Sequence, residues 1–230
     1  PPGALTGARY QMTRAHRQES RTLRLGNRLE GRFDALRPTH FLGELLKARF
    51  QPLPWFEAEN CVLVEYMTGY RMSFRTAVIR ANPFDETLRF FGLVEDPEAS
   101  FAAMRHGALV GARNARIYHH KFPGGRGDPF WLGLVGVLNR SYVVLKHVHD
   151  AGLSPAEAER VRRVLRQFGR LKVLGCLARI HRRRARDELR GVLAALEGVN
   201  IMLDTPRENL PRVFTEIHER IQARRAGANS

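Results

Sequence analysis

Gly152-Leu153-Ser154-Pro155-Ala156-Glu157 constrains the fold more than any other stretch of this chain. A Ser followed three residues later by a Glu is a capping box, and Pro155 takes the first helical position, where its missing N–H costs nothing. Val161, Val164, Leu165 and Phe168 follow at i, i+3, i+4 and i+7. They predict a helix with one apolar face, ending at Gly169. Such a face must be covered by another layer. The β-branched run Tyr142–Val148 predicts a strand before this helix, and Leu171–Leu174 a short strand after it. Leu189, Val192, Leu193 and Leu196 predict a second helix, broken by Gly198, with a third strand at Val199–Leu203. Thr205-Pro206-Arg207-Glu208 repeats the capping box, and Leu210, Val213, Phe214, Ile217 and Ile221 stripe a third helix. The order β-α-β-α-β-α predicts a small layered α/β domain over residues 126–230.

The upstream sequence is organised differently. Residues 1–37 place Arg at 9, 14, 17, 21, 24, 28, 32 and 37 with few large apolar residues, which predicts a basic extended arm that orders on a polyanion. Residues 38–125 read as an α+β extension of no assigned fold. A helix is expected at Thr39–Phe50, strands at Cys61–Tyr66, Phe74–Ala81 and Leu109–His120, and helices at Pro83–Phe91 and Pro97–Arg105. Pro123-Gly124-Gly125-Arg126-Gly127-Asp128-Pro129 is the expected linker to the last domain.

Charge bounds the function classes. The chain has 38 basic and 23 acidic residues, a net charge of +15, and 34 of the 38 are Arg. Arginine forks match phosphate oxygens and stack on bases, so this excess points to RNA. It is concentrated: residues 160–190 hold Arg160, Arg162, Arg163, Arg166, Arg170, Lys172, Arg179, Arg182, Arg183, Arg184, Arg186 and Arg190 against Asp187 and Glu188. These twelve, with Arg14, Arg17, Arg21 and Arg24 of the arm, are the expected RNA-binding residues, and Tyr10 and Phe33 are stacking candidates. Hydrophobic residues make up 43%, enough for a core, and no apolar run approaches a membrane span, so no membrane partner is expected.

No residue pattern points to catalysis. His119 and His120, adjacent on an expected strand, face opposite sides and cannot share a metal without a bend. Asp85-Glu86 reads as acids at a helix start. Gly124-Gly125-Arg126-Gly127 lacks the Lys-Ser/Thr ending of a phosphate loop. Cys61 and Cys176 are far apart and read as free thiols. The expectation is therefore a non-enzyme with no metal and no cofactor.

The segments Val143–Val148, Gly152-Leu153-Ser154, Val161-Arg162 and Gly169, with Gly198–Leu203 and Pro206–Gln222 after them, resemble the universal large-subunit ribosomal protein ten, which forms the base of the stalk. The likeness covers about residues 128–222. Where that family carries a basic residue, Asn and Thr after its second strand, this chain has Gly175-Cys176-Leu177. The resemblance implies a structural constituent of the large ribosomal subunit, binding ribosomal RNA beside neighbouring ribosomal proteins. The long helix that anchors acidic stalk proteins in the family has no counterpart before Ser230, which puts that partner in doubt. The N-terminal extension implies a mitochondrial ribosome, with the cytoplasmic ribosome as the alternative, and the start at Pro1 separately suggests removal of a leading segment. An assembly factor binding ribosomal RNA elsewhere is the second reading, and a nucleic-acid-processing enzyme the third.

Overall fold

Three long helices in the second half of the chain organise the structure, and the cap on the second of them is the one its sequence calls for. Ser154 Oγ accepts from the Glu157 N–H, and the Glu157 carboxylate accepts from the Ser154 N–H at 2.8 Å. The computed structural model describes residues 37–88, 93–115, 117 and 127–227. Among them are eight α-helices: α1 (Pro38–Lys47), α2 (Trp55–Ala58), α3 (Thr76–Ala81), α4 (Glu95–Ala103), α5 (Pro129–Asp150), α6 (Pro155–Leu177), α7 (Arg183–Leu203) and α8 (Leu210–Gly227). The described strands are β1 (Cys61–Leu63) and β2 (Val110–Ala112), paired antiparallel with Val62 opposite Gly111.

This is a helical fold, and the layered β-α-β-α-β-α domain is corrected. Its three strands all lie inside helices. Tyr142–Val148 belongs to α5, Leu171–Leu174 to α6, and Val199–Leu203 to α7. A short apolar run reads alike in a buried strand and in a helix covered on all sides. α5 is the second case: Leu134, Val135, Leu138, Val143, Val144 and Leu145 point around its whole circumference, and each is at most 2% exposed. α1, α4, α6, α7 and α8 all pack on it.

The glycines explain why the expected helix ends are absent. A Cβ on Gly169 would meet Leu196 Cδ2 at 2.4 Å, and one on Gly198 would meet Ile217 Cγ2 at 2.7 Å. Both sit mid-helix as points of close approach. The α5–α7 crossing is tighter still, because a Cβ on Gly191 would lie 2.0 Å from the Phe130 carbonyl oxygen and one on Gly133 would lie 2.3 Å from that of Glu188. Phe130 lies against Gly191 and Leu138 against Gly198, so α5 and α7 run parallel, with α6 antiparallel between them in sequence. The second expected capping box is not formed. Thr205 Oγ1 donates back to the Ile201 carbonyl at 2.7 Å, and a 3-10 turn at Arg207–Asn209 precedes α8.

Upstream, the Thr39–Phe50 helix is α1 and Pro97–Arg105 falls largely in α4, while β1 and β2 are three-residue strands near the starts of the longer ones expected at Cys61–Tyr66 and Leu109–His120. Phe74–Ala81 is a correction, since α3 replaces a strand there. The described part of Pro83–Phe91 is not helical. Leu42, Leu46 and Phe101 share one core with Leu138, Tyr142 and Phe214, so the boundary expected at 125/126 does not divide the core. Residues 35–230 cluster as one compact unit. The arm at 1–37, save Arg37, lies outside the described residues, as do His119, His120 and most of the 123–129 linker. Among the described residues no helix is long and apolar enough to cross a membrane.

Candidate nucleic-acid interface

The arginines divide according to the face of the helix that carries them. On α6 the apolar stripe Val161, Val164, Leu165 and Phe168 turns inward as expected, each at most 6% exposed. The exposed side carries Arg163, Arg166 and Arg170, a stripe about two turns or roughly 10 Å long. Leu174, 60% exposed, and Leu177, 46% exposed, continue it to the turn, where Ile180 is also exposed. On α7 the exposed residues include Arg183, Arg184, Arg186 and Arg190, with Arg179 and Arg182 in the turn before them.

Two of the expected contacts are already engaged inside the protein, and a third is partly buried. Arg160 is exposed but lies over the Phe41 ring at 4.9 Å, and Lys172 is half-buried over the Phe168 ring at 5.6 Å. Arg162 is half-buried, with its Nε sealed from solvent and without a hydrogen-bond partner. Carboxylates claim some of the others: Arg166 pairs with Glu159 at 3.2 Å, Arg179 with Glu188 at 3.6 Å, and Arg190 with Asp187 at 3.3 Å. These are exposed pairs, weak and screened by salt. Arg163, Arg170, Arg183, Arg184 and Arg186 have no ion pair among the described residues. Arg14, Arg17, Arg21 and Arg24 lie outside those residues.

The start of α7 is where this matters most. α5 begins with Asp128, whose carboxylate accepts from the Phe130 N–H at 2.8 Å, and α6 begins with its capping box. α7 begins with Arg182 as N-cap, makes no side-chain cap, has no acid in its first turn, and opens with Arg183 and Arg184. Three cations thus stand at the positive end of a 21-residue helix dipole beside the uncapped Arg183 and Arg184 N–H groups, those of Ala185 and Arg186 being taken by the Arg182 carbonyl. Both the charges and the N–H groups are complementary to an anion.

Sequence reasoning missed a second charged group, which lies within the core. Lys146 on α5 sits between Asp85 Oδ2 at 2.8 Å and Glu98 Oε1 at 2.6 Å. Tyr142 donates to Asp85 at 2.7 Å, Thr87 also bonds that carboxylate, and His147 Nε2 lies 3.3 Å from Glu98. Asp85 is therefore no helix cap but an anchor for the 83–88 segment on α5. Burial by itself would raise its carboxyl, but hydrogen bonds from Lys146, Thr87 and Tyr142 bring it down to about 2. Glu98 is likewise lowered against the effect of burial, by His147 and Lys146, and burial pushes His147 down from its usual value. Lys146, raised by the two carboxylates despite burial, stays charged. Every group is held away from neutral titration, so the cluster works as an electrostatic clamp between α4, the 83–88 segment and α5. A nearby cleft of about 420 Å³ is lined by Leu46, Arg49, Phe101, Arg105, His147 and Asp150, among others. Asp150 there is already bound by Arg105 and Arg207.

No protein-family model, no curated protein and no solved structure matches this chain.

Proposed function

We propose that this chain is a non-catalytic RNA-binding component of a ribonucleoprotein particle, and that the α6–α7 hairpin is its phosphate-binding face. The observation that carries the reading is the arginine start of α7. An uncapped helix N-terminus with three cations is unfavourable alone, and a phosphate there neutralises the charges while accepting from the free N–H groups. Arg163 and Arg170 extend the same kind of unpaired charge along α6, and contacts of this type position a protein on RNA without reading sequence. Exposed Leu174, Leu177 and Ile180 at the tip give the charged face an apolar edge for unstacked bases. A ribosomal particle is the setting we propose, since ribosomal RNA supplies the dense phosphate such a face requires. The stalk-base position is not carried over, because the α/β layer that suggested it is absent.

Binding of a fluorescent RNA hairpin to the full chain, followed by anisotropy across a salt series, tests this. Affinity should fall steeply with salt. The triple change Arg183→Glu, Arg184→Glu and Arg186→Glu should remove about three phosphate contacts and lower the log–log salt slope by about 2 to 3. Thermal unfolding should be nearly unchanged, because all three side chains are exposed. Unaltered affinity and slope in a folded triple variant would overturn the assignment.

A further inference from the structure

We propose that His40, Glu44 and Glu65 form a binding site for a divalent first-row transition-metal ion. His40 and Glu44 are four residues apart on α1, so they project from one side of the helix a turn apart. Glu65, just beyond β1, reaches the same point because its backbone rests on Gly43. A Cβ at residue 43 would stand 2.7 Å from the Glu65 carbonyl oxygen and 3.0 Å from Glu65 Cβ. The absence of a side chain at 43 is what lets the third donor approach.

The donor geometry suits an ion. One nitrogen or oxygen from each of the three residues lies within 4.8 Å of the others. His40 Nδ1 and Glu65 Oε1 are 3.1 Å apart, close to the roughly 3.3 Å between two donors that hold one tetrahedral ion at about 2.0–2.1 Å each. One imidazole and two carboxylates make three ligands, which leaves the ion open to water, and mixed nitrogen and oxygen donors suit zinc, manganese or ferrous iron. Charge agrees. Two carboxylates converge here in a chain of net charge +15, and Lys47 pairs with one of them, 2.7 Å from Glu44 Oε1. His40 and Glu65 have only each other as ion-pair partners among the described residues.

A plain pair of ion pairs, His40 with Glu65 and Lys47 with Glu44, would use the same side chains. The two arrangements differ in the part played by Lys47, which is a partner in the pairs and a competitor in the metal site. Calorimetric titration of the chelator-treated full chain with zinc chloride, supported by the visible absorption of added cobalt(II), distinguishes them. The metal site gives saturable one-to-one binding that weakens by about tenfold or more in His40→Ala and in Glu65→Gln, and that tightens in Lys47→Gln because Glu44 is released. Circular dichroism of each variant establishes that it is folded, and Glu65→Gln keeps the shape of the side chain should His40→Ala disturb α1. Absence of binding, equal affinity in Glu65→Gln and the parent chain, or no tightening in Lys47→Gln overturns the proposal.

Discussion

Replacing Lys146 with Met tests whether the buried charges of α5 hold the helical core to the segments before it. The substitution keeps the apolar stem and removes the ammonium that stands 2.6 Å from Glu98 and 2.8 Å from Asp85. The Glu98 side chain is 3% exposed and that of Asp85 is 11% exposed, so neither carboxylate can regain water without local opening. Removing one partner of a buried charge pair costs about 3–5 kcal/mol. Lys146 is itself 24% exposed, which puts the expected loss near the lower end, at about 3 kcal/mol. Urea unfolding of the full chain, followed by circular dichroism, measures it. The pH dependence has a definite sign. Folding lowers Asp85 from 3.8 to about 2, so the parent chain has roughly 2 kcal/mol of stability from this carboxylate above pH 4, lost as the pH falls toward 2. In Lys146→Met the two buried carboxylates lack their cation and take up protons more readily, so the deficit relative to the parent should shrink from pH 7 toward pH 4. Adding Asp85→Asn and Glu98→Gln should recover most of the loss at pH 7, since no buried charge then lacks a partner. A cost below about 1 kcal/mol at pH 7, or a deficit independent of pH, would refute the clamp.

Three further perturbations bear on packing. Gly191→Ala puts a methyl 2.0 Å from the Phe130 carbonyl oxygen, and because backbone cannot rotate aside it should cost about 1–3 kcal/mol or more in a thermal melt. Gly136→Ala, in α5 with nothing within 4 Å of the new atom, should instead stabilise by about 0.5–1 kcal/mol, so the reverse order would overturn the close α5–α7 crossing. Phe168→Ala should cost about 3–5 kcal/mol by chemical denaturation, for Phe168 is 6% exposed and its ring carries Arg140 and Lys172 at 5.3 and 5.6 Å.

Some of this molecule follows from local sequence alone. Ser154, Pro155 and Glu157 start α6 whatever surrounds them, because a capping box satisfies its own N–H groups within four residues. The stripes Val161–Phe168 and Leu210–Ile221 meet the core, and the outward Arg163, Arg170, Arg183, Arg184 and Arg186 follow from helical periodicity once a helix is granted. Tertiary structure decided the rest. Whether Tyr142–Val148 is strand or helix depends on what covers it, and five helices pack on the helix that contains it. Gly169 and Gly198 carry the same local signal as helix terminators, yet the nearness of Leu196 and Ile217 makes them spacers for helix crossings. Asp85 and Lys146 are 61 residues apart, as are no two members of a local motif, so their pairing was illegible along the chain. Glu65 likewise comes to His40 only where Gly43 lets two backbones touch. Caps and periodic faces act within a turn or two of the residues that encode them; charge pairs, close crossings and the covering of a helix require partners that only the folded chain supplies.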